Sequence, residues 1–326
     1  MTASTAPHLT ATERRTATRQ RVAGLVVAVV VGMALAVQAR INGELAGRIG
    51  DGVAAALLSF LGGEVILLAL VLVLPGMRRG VAQVMSAIRG GQLRPWQILG
   101  GFCGAFLVIT QGLTVGAIGV ALFTVAVVAG QATSSLVVDR AGLGPGEAHP
   151  VSMPRILGAL LAIGAVLLAV SDRLGAPSAL GLAALPVVAG VGVAWQQAVN
   201  GRVSATAGSP LSAALVNFTV GTVLLLVVAG IVVAARGLPG PLPGEPLLYI
   251  GGPLGMLFIA AAAVIVPLTG VLLLGLGTVA GQLVGALLLD LFVPTGGDHL
   301  TATTVAGTAL TLVAVAVAAL PARRRV

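Results

Sequence analysis

Apolar blocks of roughly 17–25 residues follow one another along the chain, each long enough to cross a hydrocarbon core of about 30 Å as a helix. Nothing else in the sequence restricts the fold as much. In lipid every backbone polar group must be satisfied internally, so only helices and closed barrels can span. A barrel strand alternates apolar and polar residues over about ten positions, and these blocks are too long and too uniformly apolar for that. With 57% hydrophobic and 9% charged residues the chain is far from a soluble composition. Its 46 glycines suit helices packed backbone to backbone. The fold class expected is an all-α membrane protein.

Ten spans are expected, at about 22–40, 52–74, 96–113, 117–138, 155–171, 178–199, 210–235, 247–266, 269–289 and 303–320. Turn and breaker residues separate them: Pro75-Gly76, "GLGPGEAHP" at 142–150, "GLPGPLPGEP" at 237–246 and "PTGGD" at 294–298. The joints at 114–116 and 267–269 are short enough to predict tight hairpins. Residues 1–21 read as a disordered cytoplasmic tail, 22–171 and 172–320 as two five-helix units, and 321–326 as a second cytoplasmic tail. A signal peptide fits the first block loosely (Arg14-Arg15, then "ALA" at 34–36). Against it, the same segment recurs in mid-chain.

All eighteen basic residues are arginine, and the net charge is +8. With both termini cytoplasmic, fourteen of these arginines fall inside and only Arg40, Arg48, Arg173 and Arg236 outside, a strong positive-inside bias. That accounts for the charge better than nucleic acid does, because the arginines flank apolar blocks and aromatics make up 3%. The single Cys103 forms no intrachain disulfide.

The chain is two copies of one unit. At a shift of 158, Gln38 falls on Gln196, Asn42 on Asn200, Gly50 on Gly208, Phe60 on Phe218 and Gly63 on Gly221. At a shift of 151, Gly100, Gly101 and Gly104 fall on Gly251, Gly252 and Gly255, "AGQ" at 129–131 on "AGQ" at 280–282, and Asp139 on Asp290. One deletion between the blocks explains the change of shift. Five spans is an odd number, so the second copy enters the membrane upside down. That is the inverted-repeat architecture of many secondary transporters.

The stretches "VQARINGELAGRIGDGVAAALLSFLGG" and "GGFCGAFLVITQGLTVGAIGVALFTVAVVAGQATSSLVVD" resemble the YdcZ family of the drug/metabolite transporter superfamily. The resemblance covers nearly the whole chain after residue 22. It implies a fused ten-helix form made of two inverted five-helix repeats, in the inner membrane, exporting a small organic metabolite or drug-like compound.

Candidate substrate-binding residues are the polar ones inside the spans. Gln38 and Asn42 are four residues apart and share a helix face, as do Gln196 and Asn200. They either cap and bridge helices or line a path. Trp195 offers an aromatic face to an organic ring or cation, or packs as an interfacial anchor. Gln131 and Gln282 lie one to two turns deeper than Asp139 and Asp290, which read as anchors for helix ends. Asn217 completes the polar set. Glu64 is the one carboxylate near mid-span, replaced by Thr222 in the second copy. It either meets a cationic substrate or a proton, or stays protonated and bonded to a neighbour. Gly100-x-x-x-Gly104, Gly251-x-x-x-Gly255 and Gly281-x-x-x-Gly285 read as helix contacts. Pro186 and Pro253 are expected to kink or break their spans.

No enzyme signature, metal pattern or cofactor motif stands out. The partners expected are a small-molecule substrate, lipid and a proton as candidate coupling ion, in a monomer or a homodimer. A non-transporting scaffold would want a large extramembrane surface, and a passive channel a continuous polar stripe; the sequence offers neither. The orientation is checked by a cysteine placed at Ser152 in a Cys103-free protein. It should resist an impermeant thiol reagent applied outside intact cells, and ready labelling would invert the topology.

Overall fold

The computed structural model describes the backbone of residues 11–145, 152–171, 177–294 and 300–320. Side chains are described for 22–145, 152–171, 181–258, 275–294 and 300–320. The helices are α1 (Ala11–Ile49), α2 (Gly52–Val73), α3 (Pro75–Arg89), α4 (Gly100–Ile118), α5 (Val120–Arg140), α6 (Met153–Ala169), α7 (Pro177–Ala207), α8 (Pro210–Arg236), α9 (Gly251–Phe292) and α10 (Ala302–Ala318), with short 3-10 turns at Pro95–Ile98 and Pro246–Tyr249. There is no strand among the described residues. Among the described residues seven helical segments are long and apolar enough to cross a membrane, and Met153–Ala169 and Ala302–Ala318 are shorter apolar helices.

The turns follow from the sequence. Gly50 (φ 74°) and Gly208 (φ 59°) end α1 and α7 in the left-handed region, which favours glycine. The next residue caps the following helix: Asp51 accepts from the backbone of Val53 and Ala54, and Ser209 from that of Ser212. Glycine and cap thus sit at matching positions of the two copies. The joint between α4 and α5 is the single residue Gly119 (φ 81°), not 114–116, because Gly116 stays helical. Asp290 accepts from the amides of Val120 and Ala121, at 3.0 and 2.7 Å, and so caps α5 from the other copy.

The helical run of α9 folds back on itself. Gly251 and Gly255 lie against Asn42 and Gln38, while Gly281 and Gly285 lie against Val29 and Met33 of the same helix. On a straight helix residues 251 and 285 would be about 51 Å apart, whereas Met33 and Asn42 are separated by about 14 Å along α1. The direction therefore reverses between Met256 and Gly277, in the region of the expected 267–269 joint, although the backbone is helical throughout. Its first limb runs antiparallel to α1 and its second parallel. In the other copy, α4 and α5 bear on α7 in the same way.

The two copies are interlocked. A Cβ at Gly130 would strike the Val187 carbonyl, and one at Gly190 the Val127 carbonyl. The mates of these residues repeat the contact: Gly281 meets the Val29 carbonyl, and Gly32 that of Thr278. So α5 crosses α7, and the second limb of α9 crosses α1, with backbones touching at paired glycines. Gly158 of α6 and Gly307 of α10 pack on each other's helices likewise. Phe60 and Phe218, mates under the 158 shift, touch each other with ring centroids 5.1 Å apart. A residue that touches its own mate marks the pseudo-two-fold axis.

Other expectations need correction. The 75–95 segment, left between the expected spans 52–74 and 96–113, contains α3, because Met77, Gly80, Val84 and Ala87 recur at helical spacing and are buried. The 237–245 segment of the second copy is non-helical instead, and this difference is where the shift changes from 158 to 151. The residues expected as a disordered tail are helical from Ala11 onward, and 1–10 and 321–326 lie outside the described residues. Helix α7 continues through Pro186, and Pro253 sits in the first turn of α9, where no helical donor is lost.

Gly130→Leu should cost about 1–3 kcal/mol or more, since the new side chain meets α7 backbone. Gly164→Leu should be nearly neutral, because no heavy atom lies within 4 Å of a Cβ there. Thermal melting in detergent reads both; equal melting would refute the glycine crossing.

Candidate functional site

Each amide pair rests on glycines of the opposite copy. A Cβ at Gly255 would lie 2.9 Å from Gln38 Nε2, and one at Gly104 would lie 2.9 Å from Gln196 Nε2. Likewise Gly251 faces Asn42 Oδ1, and a Cβ at Gly100 would lie 2.6 Å from Asn200 Oδ1. Any side chain at these four positions would displace the amides. Next to them Gly101 presses on the Asn217 carbonyl and Gly252 on the Ser59 carbonyl, again as mates. Gly63 and Gly221 leave room for the rings of Phe218 and Phe60.

The two amide clusters differ in wiring. Asn42, 1% exposed, donates to Gln111 Oε1 at 2.6 Å, and its own Oδ1 is buried with no hydrogen-bond partner. In the other cluster Asn217 Oδ1 accepts from both Asn200 Nδ2, at 3.0 Å, and Gln196 Nε2, at 3.2 Å. Asn217 is the mate of Ser59. Trp195 stacks on Trp96, with centroids 6.3 Å apart and planes 24° from parallel, at the Gln196 end.

Glu64 is 7% exposed and accepts from Thr219 Oγ1 at 2.7 Å, while its Oε2 is buried with no partner. Its mate Thr222 is also buried, with an unpartnered hydroxyl. A buried polar group without a partner is costly, so these atoms invite a water or a ligand. Gln131 and Gln282 lie at the glycine crossings instead: their backbone nitrogens would be 3.0 and 2.8 Å from a Cβ at Gly190 and Gly32. Among the described residues no hydrogen bond joins them to the amide clusters. The structure thus gathers Gln38 and Asn42 in one group, Gln196, Asn200 and Asn217 in another, with Trp195 beside the second.

Gln111, Ser59, Thr219 and Trp96 were not among the residues expected. Gln111 had a usable signal, a lone amide inside an apolar block, but position 262, its mate, is alanine. Asp139, the mate of Asp290, pairs with Arg155. Two apolar recesses lie away from the amides. One, of about 230 Å³, is lined by Met33, Val37, Leu288 and Phe292 among others; the second, of about 190 Å³, includes Leu58, Val233 and Leu242.

Each end of the bundle also carries its own set of polar contacts. Arg48 bridges Glu44 and Glu245 at 2.7 and 2.6 Å, and Gly240 donates its amide to the Ile49 carbonyl at 3.0 Å. Arg48 holds the Glu245 carboxyl below the usual carboxylate range. At the opposite end Arg202, the mate of Glu44, donates to the carbonyls of Gly142, Leu143 and Gly144.

The family model described as "Putative inner membrane exporter, YdcZ" matches residues 23–168 and again 181–317. The chain belongs to the YdcZ family. The double match agrees with the repeat read from the glycines and amides. Membership places this YdcZ-family chain among multi-pass inner-membrane transporters rather than enzymes. A solved structure described as "Crystal structure of protein" superposes with a TM-score of 0.54 at 18% identity, over 94% of this chain and 98% of that one, which shows a shared fold. No curated protein matches the chain.

Proposed function

We propose that the chain is a secondary active transporter that exports a small organic metabolite or drug-like compound by alternating access. The observation that carries this reading is the reciprocal seating of each amide pair on glycines of the other copy. Such a contact has two equivalent halves, lying toward opposite ends of the bundle, and either half can part while the other stays shut. Gln38 and Asn42 with Gln111 form one half-site. Gln196, Asn200 and Asn217, with Trp195 and Trp96, form the other. Phe60 and Phe218 lie between them. Gln131 and Gln282 act at the crossings about which the helices move. Both termini face the cytoplasm, a placement that the arginine bias supports. The described helices, together with the two limbs of α9, fit ten crossings in two units over 22–171 and 172–320.

Glu64 is the candidate proton carrier. It is a mid-membrane carboxyl with one free oxygen and a single hydroxyl donor. Substrate is first found by thermal-shift screening of the purified protein, then followed as flux into liposomes. Asn42→Ala and Asn200→Ala should each impair flux while lowering stability by only about 0.6–2 kcal/mol. They should also bias the resting state in opposite directions, read by cysteine accessibility at each end. In the same liposomes Glu64→Gln should abolish flux driven by a pH gradient. Full transport in both asparagine variants would reduce the amides to helix-end ties.

A further inference from the structure

Helix α3 has no counterpart in the second copy, and its chemistry points to a partner. Only Leu74 separates it from α2, and a short turn leads from it to α4. Both neighbours are membrane spans, Gly52–Val73 and Pro95–Ile118. A helix joined so closely to two spans at one end lies at the membrane surface. One face is already occupied: Met77, Gly80, Val84 and Ala87 are buried, Ser212 Oγ donates to the Met77 carbonyl at 3.0 Å, and a Cβ at Gly80 would lie 2.8 Å from the Ala207 carbonyl. The helix is therefore fixed on the α7–α8 turn.

Apart from those four residues and the half-buried Val81 and Ile88, α3 is exposed and carries arginines. Arg78, Arg79 and Arg89 are exposed, and so is Arg94 just beyond the helix. Arg78 and Arg89 are eleven residues apart, three turns, so they share a face. Arg78 donates to the Leu72 carbonyl; Arg79 and Arg89 make no side-chain hydrogen bond or ion pair among the described residues. No Asp or Glu occurs anywhere between Glu64 and Asp139. This surface of the protein thus carries cations at headgroup level with no carboxylate from the same stretch to neutralise them. Juxtamembrane arginines in that setting attract anionic lipids, at about fivefold in affinity for each residue.

We propose that α3 is a docking surface for anionic phospholipid headgroups, held by Arg79 and Arg89 with Arg78 and Arg94 beside them. The inference does not depend on the transport reading. It has a consequence for the site, because the segment that follows α3 delivers Trp96 to its stack on Trp195. Headgroups bound on α3 therefore act on the Gln196 end alone, since 237–245 at the other end has no such helix.

The test uses the full chain in a neutral detergent, titrated with dioleoylphosphatidylglycerol or dioleoylphosphatidylcholine. Lipid retained is counted by native mass spectrometry, and melting is followed in parallel. The phosphatidylglycerol should be retained about tenfold or more over the choline lipid, and the preference should fall with added salt. Arg79→Gln with Arg89→Gln should remove most of it, while Arg236→Gln, an exposed arginine at the other end, should leave it intact. If the double glutamine variant fails to fold, Arg79→Lys with Arg89→Lys should keep the preference, since charge rather than shape is required. Equal retention of both lipids, or full preference in a folded double glutamine variant, would overturn the proposal. So would reproduction of the stabilisation by inorganic phosphate alone, which would mark a free-anion site.

Discussion

Backbone laid on backbone at paired glycines is the contact on which the rest of the structure depends. Lipid tails are as apolar as leucine, so helices in a bilayer gain little from hiding greasy side chains and must gain from close packing. Here Gly130 meets the Val187 carbonyl and Gly190 that of Val127, while Gly32 meets the Thr278 carbonyl and Gly281 that of Val29, across the two copies. The same economy of side chain seats Gln38, Asn42, Gln196 and Asn200 on Gly255, Gly251, Gly104 and Gly100. An amide can lie at a helix interface only if the facing helix yields the space. The glycines and the amides are therefore one device, repeated about the axis marked by Phe60 and Phe218.

The departures from symmetry make the two ends chemically different. Glu64 stands opposite Thr222 in the repeat, Gln111 opposite an alanine, and the Trp96–Trp195 stack exists at one end only. One end carries Arg48 between two glutamates, the other Arg202 among three backbone carbonyls. Helix α3 adds a basic surface to the Arg202 end. Two halves with one architecture and different side chains present different chemistry on the two sides.

Much of this was legible in the sequence, because the constraints are strong and local. Block length, the repeat offsets and the Gly50-Asp51 and Gly208-Ser209 turns all express backbone requirements that few residue types meet. The reversal inside α9 lies between Met256 and Gly277, a stretch that contains the expected 267–269 joint, whereas the 114–116 joint moves to Gly119, since a glycine can stay helical. Helix α3 was hidden because its small apolar face, with glycine and alanine at two of four buried positions, hardly differs in composition from a turn. The Asn42–Gln111 bond was hidden because pairing across 69 residues leaves no local mark and the second copy does not repeat it.

The central claim is that the two ends open in turn while the glycine crossings hold. It is tested most directly by locking each end with a disulfide in a Cys103-free protein. Ile49→Cys with Gly240→Cys would lock the Glu245 end; a Cβ at Gly240 lies 3.7 Å from the Ile49 Cα but 2.7 Å from its carbonyl oxygen, so the 237–245 segment shifts to admit the bond. Gly201→Cys with Pro145→Cys would lock the Arg202 end, where a Cβ at Gly201 lies 3.0 Å from the Pro145 ring. Either bond alone should stop flux in liposomes, leave a third cysteine introduced at the unlocked end reactive to thiol reagents, and release transport on reduction. Undiminished flux with either end locked would contradict the account.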